Sequence, residues 1–305
     1  MDRIRVSLLA YTEDGERLIA AASKTSLSRK SPEKILSMPD EEVEEWIRET
    51  WRRQHFSPWE HSVYTWLADG CSRVCSHQLV RHRLASYTQQ SMRYTEGSLR
   101  EVALEAASLL GIECPRKPRE AGARRAYECY SRALREAVRA GLDPVRLAKP
   151  AFVFPPTLRG EALVEAANLY LEAAARYYSL LALGVPREDA RFLIPHAVRT
   201  RIVVTMNARE LVQSFLPLRM CTRAQWEIRL VAWKLWERLV EVHPRLFKWV
   251  GPRCVFQQNT TSDPRPLVDY LEGRALFTIP RCPELVPRDG IRACLLHANG
   301  RAGRV

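Results

Sequence analysis

The sequence predicts an α+β fold of the α/β type, with a small central β-sheet flanked by long helices. Two long helical patterns predict the helices, Glu120 to Ala140 and Glu161 to Leu183. Three short segments carry the β-branched and aromatic content of strands: Ile4–Tyr11, Ser62–Ala68 and Val198–Met206. Few strands among long helices suit helices packed on a small sheet, and no internal repeat argues otherwise. The chain of 305 residues is 46% apolar and 27% charged, enough for a substantial core without disulfides.

Taken in order, Met1 to Tyr11 is charged early and reads as a strand, unlike a signal peptide. A helix follows over Glu16 to Lys24. Pro39 to Gln54 is a helix acidic at its start and basic near its end, as the helix dipole favours. In Ser57-Pro58-Trp59-Glu60, Ser57 suits an N-cap, Pro58 the first helical position and Glu60 the return bond of a capping box. Val74 to Arg83 reads as a helix and Leu84 to Tyr94 as an irregular polar stretch. Pro115 to Pro118 marks a loop, and Pro186 to Leu193 a short helix. Asn207 opens a capped helix, and Thr222 to Gln225 opens another that runs to about Val242. On that last helix Trp226, Trp233 and Trp236 read as packing residues. After Gly251, Pro, Gly and Cys rise and helical periodicity fades. Residues 1–250 therefore read as the main domain, and residues 251–305 as a C-terminal extension of unknown role. No run of 18 apolar residues exists, so no membrane span is expected.

The formal net charge is +12, and 40 of the 47 basic residues are Arg. Arg grips planar anions through paired hydrogen bonds, so phosphorylated ligands or nucleic acid are indicated, as is a plain bias toward Arg. The eight cysteines show no repeated metal spacing. Cys71 and Cys75 read as core residues before a metal pair. Cys254, Cys282 and Cys294 are candidates for a disulfide or a metal cluster. His55 and His61 stand six apart and do not share a helix face, so no metal site is assigned to them. The densest polar stretch is Gln78 to Arg93, which holds three arginines, a histidine, two serines and three glutamines. Such density suits an anion pocket: guanidinium forks for phosphate, amides and hydroxyls for a polar heterocycle. A solvated basic loop is the plainer reading.

Arg81-His82-Arg83 followed by Ser91 resembles the signature of the flavin-dependent thymidylate synthases. His55-Phe56-Ser57-Pro58-Trp59-Glu60-His61, Asn207-Ala208-Arg209-Glu210-Leu211, and Leu218-Arg219 with Arg223 to Glu227 resemble three further segments of that family, in the same order. The resemblance implies the family's fold, with residues 1–250 as the catalytic, flavin- and dUMP-binding domain. It implies an FAD enzyme that methylates dUMP to dTMP, with methylenetetrahydrofolate as carbon donor and NADPH as reductant. The implied FAD ligands are Ser57, Glu60, Arg81, His82, Arg83, Gln89, Asn207, Arg209 and Gln213. The implied dUMP ligands are Gln78, Leu79, Val80, Arg81, Gln89, Gln90, Ser91, Met92, Arg93, Arg191 and Arg219. Arg191 comes from a neighbouring subunit, and the resemblance implies a cytoplasmic homotetramer with shared active sites. Arg219 is the catalytic residue, facing the uracil ring and favouring ionisation at N3.

Three departures from the family pattern stand out. Thr88 replaces a common Asn, and Lys24 a common Arg. Arg219 arrives one residue late after Asn207-Ala208-Arg209, which implies a bulge near Leu216-Pro217 and leaves Gln213 and Ser214 as alternatives for one flavin contact. The chemistry suits these residue types. A permanent cation at the N3/O4 edge stabilises charge developing in the ring, and the cofactor carries the hard redox steps. No cysteine nucleophile is assigned, and Ser91 reads as a ligand because no base serves it. Anionic ligands account for the charge without nucleic acid. A basic nucleic-acid-binding protein without flavin is the alternative, and it predicts steep salt dependence of binding. A Cys/His zinc module is a third.

Overall fold

The computed structural model describes residues 4–120 and 122–300. Residues 1–3 of the expected first strand, Ala121 of the expected Glu120–Ala140 helix and residues 301–305 of the extension lie outside the described residues. Four strands, β1 (Arg5–Tyr11), β2 (Val63–Ser72), β3 (Ala85–Gln89) and β4 (Arg199–Asn207), form one sheet in the order β1-β2-β4-β3. The α+β class is as expected. β1 and β2 run antiparallel from Arg5↔Asp69 to Tyr11↔Tyr64, with an irregularity between Leu8 and Ala10. Alternate residues are buried, Tyr64, Trp66 and Ala68 on β2 and Ile202, Val204 and Met206 on β4. β3 corrects the expectation of an irregular stretch over Leu84 to Tyr94. It lies at the sheet's edge with no fully buried residue, so a polar sequence can pair there without an apolar signature.

Backbone contacts divide the chain into two compact units. Among the described residues, the first comprises 4–69, 78–88 and 202–300, and the second 70–77, 89–120 and 122–201. In the first, helices Gly15–Thr25, Asp40–Arg52 and Trp226–Val242 surround an aromatic core. Trp51 meets Phe56, Trp249 and Phe256 edge-on, geometry that aromatic quadrupoles favour. Lys24 is buried and ion-paired to Glu42. The Thr222 helix start is corrected: Gln225 is the cap, its side chain accepting from the Glu227 and Ile228 amides. Trp233 and Trp236 are buried, donating to the carbonyls of Met220 and Phe247.

The residues after 250 depart most from expectation, since they form helices Arg253–Thr261, Leu267–Glu272 and Arg288–Asn299. Each starts directly after a proline (Pro252, Pro266, Pro287) and is too short to build a clear period. Asn259 is fully buried there. Its amide nitrogen donates to the Trp249 and Arg265 carbonyls, its oxygen accepts from the Tyr270 hydroxyl, and its carbonyl accepts from the Trp51 indole.

In the second unit, helices Leu99–Leu109, Ala123–Arg139 and Gly160–Ala182 pack through alanines, among them Ala103, Ala126, Ala133 and Ala174. A disulfide joins Cys114 to Cys129. No helix among the described residues is long and apolar enough to cross a membrane.

Candidate functional site

In the first unit the Arg73–Leu79 helix ends at Leu79, four residues earlier than expected. The chain then turns, with the Arg81 and His82 amides donating back to the Gln78 and Leu79 carbonyls. The Tyr87 hydroxyl lies 2.8 Å from the Leu79 carbonyl and 2.6 Å from that of His82, and its single proton is shared between them. Burial, and then the charge of Glu210, push this phenol up to about 12, so it stays a donor. The pinned turn exposes Arg81 and Arg83 and buries His82 between them. Leu79 is a fully buried core side chain, whereas Gln78 is half-buried and Val80 exposed.

Asn207 is a true helix cap: its side-chain oxygen accepts from the Glu210 amide at 2.8 Å. The cap sets Glu210, whose carboxylate lies 3.1 Å from His82 Nδ1. On the other side of the ring, Arg219 Nε donates to His82 Nε2 at 3.0 Å. An arginine can only donate, so Nε2 must be the acceptor and Nδ1 must carry the proton, which it donates to Glu210. His82 is thereby fixed as one neutral tautomer in a buried chain Glu210–His82–Arg219. Phe215 meets the imidazole edge-on at 5.0 Å, and Arg219 Nη2 also reaches the Gln78 carbonyl at 3.4 Å.

The late arrival of Arg219 has a structural cause. Leu211–Phe215 is a π-turn in which the Leu216 amide donates to the Leu211 carbonyl, five residues back. One extra residue is absorbed just before the Leu216–Arg219 turn, beside the bulge expected at Leu216-Pro217. The wide turn sends Gln213 and Ser214 to different partners. Gln213 accepts from Arg209 Nε at 2.9 Å, while Ser214 Oγ lies 3.3 Å from His82 Nδ1. Arg209 is also paired with Glu60. That pairing explains why the expected capping box at Ser57 does not form: Ser57–His61 is a 3₁₀ turn with no side-chain cap, and Glu60 turns to Arg209 instead. Ser57 faces a cavity of about 540 Å³ bordered by His55, His61, Arg53 and Ser26. That cavity does not reach Arg81, His82 or Arg219, whereas Gln213 and Ser214 border another of about 430 Å³ with Gln257 and Thr260.

In the second unit Gln89 donates to Ser76 Oγ at 2.8 Å and Thr200 Oγ1 at 3.2 Å. The Gln90 amide pairs with the Arg201 carbonyl, and Ser91 Oγ accepts from the Arg93 amide. Met92 is buried. Arg93 is exposed and bridged to Glu188 at 2.9 Å, and Arg191 Nε donates to the Glu188 carbonyl at 3.0 Å. One residue was passed over in the sequence. Arg73 donates from Nη2 to the Gln90 carbonyl, but its Nε is buried without a partner. Burial, and then the charge of Arg191, lower its pKa. Two guanidiniums near each other, one with an unmet donor, are groups that an anion would suit. Only the three-dimensional arrangement reveals this, since Arg73 lies in no motif and arginine is common in this chain.

Residues 7–245 match the family described as thymidylate synthase complementing protein. The flavin-dependent thymidylate synthase of Aeropyrum pernix is 58% identical over 305 residues, covering 97% of this chain and 93% of that one. The enzyme of the same name from Sulfurisphaera tokodaii is 42% identical, covering 97% of each chain. In fold the chain is similar to a crystal structure of the flavin-dependent thymidylate synthase of Helicobacter pylori complexed with FAD and dUMP. The TM-score is 0.55 at 23% identity, over 81% of this chain and 99% of that one.

Proposed function

This chain belongs to the flavin-dependent thymidylate synthase family, and on that premise we propose how its own residues serve the reaction. The activity is the reductive methylation of dUMP to dTMP with FAD. NADPH is the reductant, methylenetetrahydrofolate the carbon donor, and the working form a cytoplasmic homotetramer. Residues 1–250 carry the catalytic and flavin-binding roles, and residues after 250 support them.

FAD is assigned to Ser57, Glu60, Arg81, His82, Arg83, Gln89, Asn207, Arg209 and Gln213. The donor set suits it: exposed arginines for a pyrophosphate, amides for ring edges, and a cavity at Ser57 in the size range of ligand sites. Bound FAD supplies the hydride chemistry. dUMP is assigned to Gln78, Arg81, Gln89, Gln90, Ser91, Arg93, Arg191 and Arg219, to which we add Arg73, with Arg191 acting on a neighbouring subunit's site. Val80 lies on the exposed turn between Leu79 and Arg81, while Leu79 and Met92 contribute as buried supports.

The observation that carries the reading is the buried chain Glu210–His82–Arg219. Glu210 fixes the His82 proton on Nδ1, which leaves Nε2 to orient Arg219. A guanidinium so held places a permanent positive charge where uracil develops negative charge at N3 and O4, without reorganisation at the moment of reaction. The test is the absorption spectrum of the purified protein. Flavin absorbance that bleaches with NADPH, faster when dUMP is present, is expected. A colourless protein that takes up no FAD overturns the reading.

A further inference from the structure

Four of the chain's free cysteines meet at one place in the first unit, and none of them is among the residues assigned above. Cys221, Cys254, Cys282 and Cys294 line a single small cavity of about 20 Å³, walled by Pro252, Val286 and Leu295. Cys221 follows the turn that carries Arg219, and the other three lie after residue 250, Cys254 in Arg253–Thr261 and Cys294 in Arg288–Asn299.

The four do not form a metal tetrad, because no group of three or more His, Cys, Asp or Glu among the described residues could hold a metal ion. They fall into pairs. Thr222 Oγ1, next to Cys221, lies 3.1 Å from Cys294 Sγ. Cys254 and Cys282 are the remaining two thiols of the same cavity, and burial pushes the Cys254 thiol far up. The Cys221 thiol, raised chiefly by burial, feels Cys294 in turn. Thiols that line one small, largely apolar cavity have few hydrogen-bond partners to lose, so pairing costs little solvation.

We propose that these thiols close into two disulfides, Cys221–Cys294, which staples the last helix to the segment bearing Arg219, and Cys254–Cys282, which ties the C-terminal residues to one another. The oxidant is a small-molecule disulfide. A protein thiolate attacks one of its sulfurs and expels a thiol, leaving a mixed disulfide. The paired protein thiolate then displaces the second thiol. Each closure thus converts two protein thiols and one small disulfide into one protein disulfide and two small thiols. Attack begins at the half-exposed Cys221, whose thiol pKa is raised by burial, so closure is faster as pH rises. Met220 alone separates Cys221 from Arg219. The first staple therefore restrains the backbone that aims the guanidinium, which gives the residues after 250 a definite task.

The test uses the full chain, reduced and then incubated with oxidised glutathione, trapped with iodoacetamide and digested without reductant. Peptides linking Cys221 to Cys294 and Cys254 to Cys282 are expected. In addition, the oxidised wild type should melt roughly 5–10 °C above the reduced form, scaled from closing two long loops in a chain this size. Cys294→Ser should lose part of that difference while its reduced form melts as the reduced wild type does. Four fully alkylated thiols on folded protein, other pairings among the four, or stoichiometric zinc in the purified protein would each overturn the proposal.

Discussion

The guanidiniums of the two units are held in opposite ways. Arg219 of the first unit donates to His82 and to the Gln78 carbonyl, inside a chain of contacts that ends on the buried Glu210. Arg73 and Arg191 of the second unit repel one another, and Arg73 keeps a buried donor without a partner. The difference teaches what each is for. A group that acts on charge appearing only in a transition state must be aimed beforehand, because a ground-state ring holds it weakly. A group that receives a phosphate meets full negative charge on arrival, so it can tolerate repulsion until then. On the proposed roles, the first arrangement controls rate and the second controls affinity, and substitutions should separate them.

Arg219→Ala should have the largest effect. Loss of one preorganised electrostatic contact costs about 10²–10³ in rate, so turnover should fall by that much while the purified protein stays yellow. Single-turnover kinetics and flavin absorbance measure the two separately. Unchanged turnover would break the comparison at its first member.

Glu210→Gln sharpens it. The variant keeps the size of the side chain but removes the charge that holds the His82 proton on Nδ1. Outer partners of this kind typically cost about 10–100-fold, and the loss should fall on kcat with little change in KM for dUMP. Nitrogen NMR of the His82 ring should show the Nδ1-protonated tautomer in the wild type and a mixed population in the variant. Glu210→Ala should also destabilise the fold by about 2–4 kcal/mol, since it leaves the buried ends of the chain unpaired. A melting scan checks this.

Arg73→Ala tests the second member. Removing one phosphate contact should raise KM for dUMP about tenfold, near 1.4 kcal/mol of binding, and leave kcat close to wild type. Relief of repulsion supplies an independent sign. Without a ligand, Arg73→Ala should melt no lower than wild type, and added inorganic phosphate should raise the melting temperature less than it does in wild type. Equal protection by phosphate in both proteins would remove Arg73 from the phosphate contacts.

The uneven legibility of the chain follows the same division. The Asn207 cap could be read directly, because a cap states its role in its own residue type, and Arg81-His82-Arg83 was legible as a family motif. The π-turn was visible only as a one-residue excess before Arg219; its position at Leu211–Phe215 depends on which carbonyl the Leu216 amide finds. β3 and the helices after residue 250 carry weak sequence signals, the first as a polar edge strand and the others as short helices starting directly behind prolines. Glu210 lies in a motif but shows no task in the sequence, because its partner is 128 residues away at His82. Arg73 was missed altogether, since an unmet hydrogen bond belongs to a folded neighbourhood and not to a residue type.

The smallest expected effect concerns Asn207, which has one role seen in the structure and one proposed. Its side chain caps the Ala208–Glu210 turn by accepting from the Glu210 amide, and it is assigned to FAD. Asn207→Ala removes both, so a loss of about 1 kcal/mol in stability is expected, together with weaker flavin. Asn207→Asp separates them. An aspartate caps as well as an asparagine, so its melting temperature should stay near wild type, but it has no amide donor and brings a negative charge toward an anionic cofactor. Fluorescence titration of apoprotein with FAD should therefore give weaker binding for Asn207→Asp at unchanged stability. If flavin affinity follows stability in both variants, Asn207 is a cap alone, and Arg209 and Gln213 then hold that edge of the cofactor through the turn it sets.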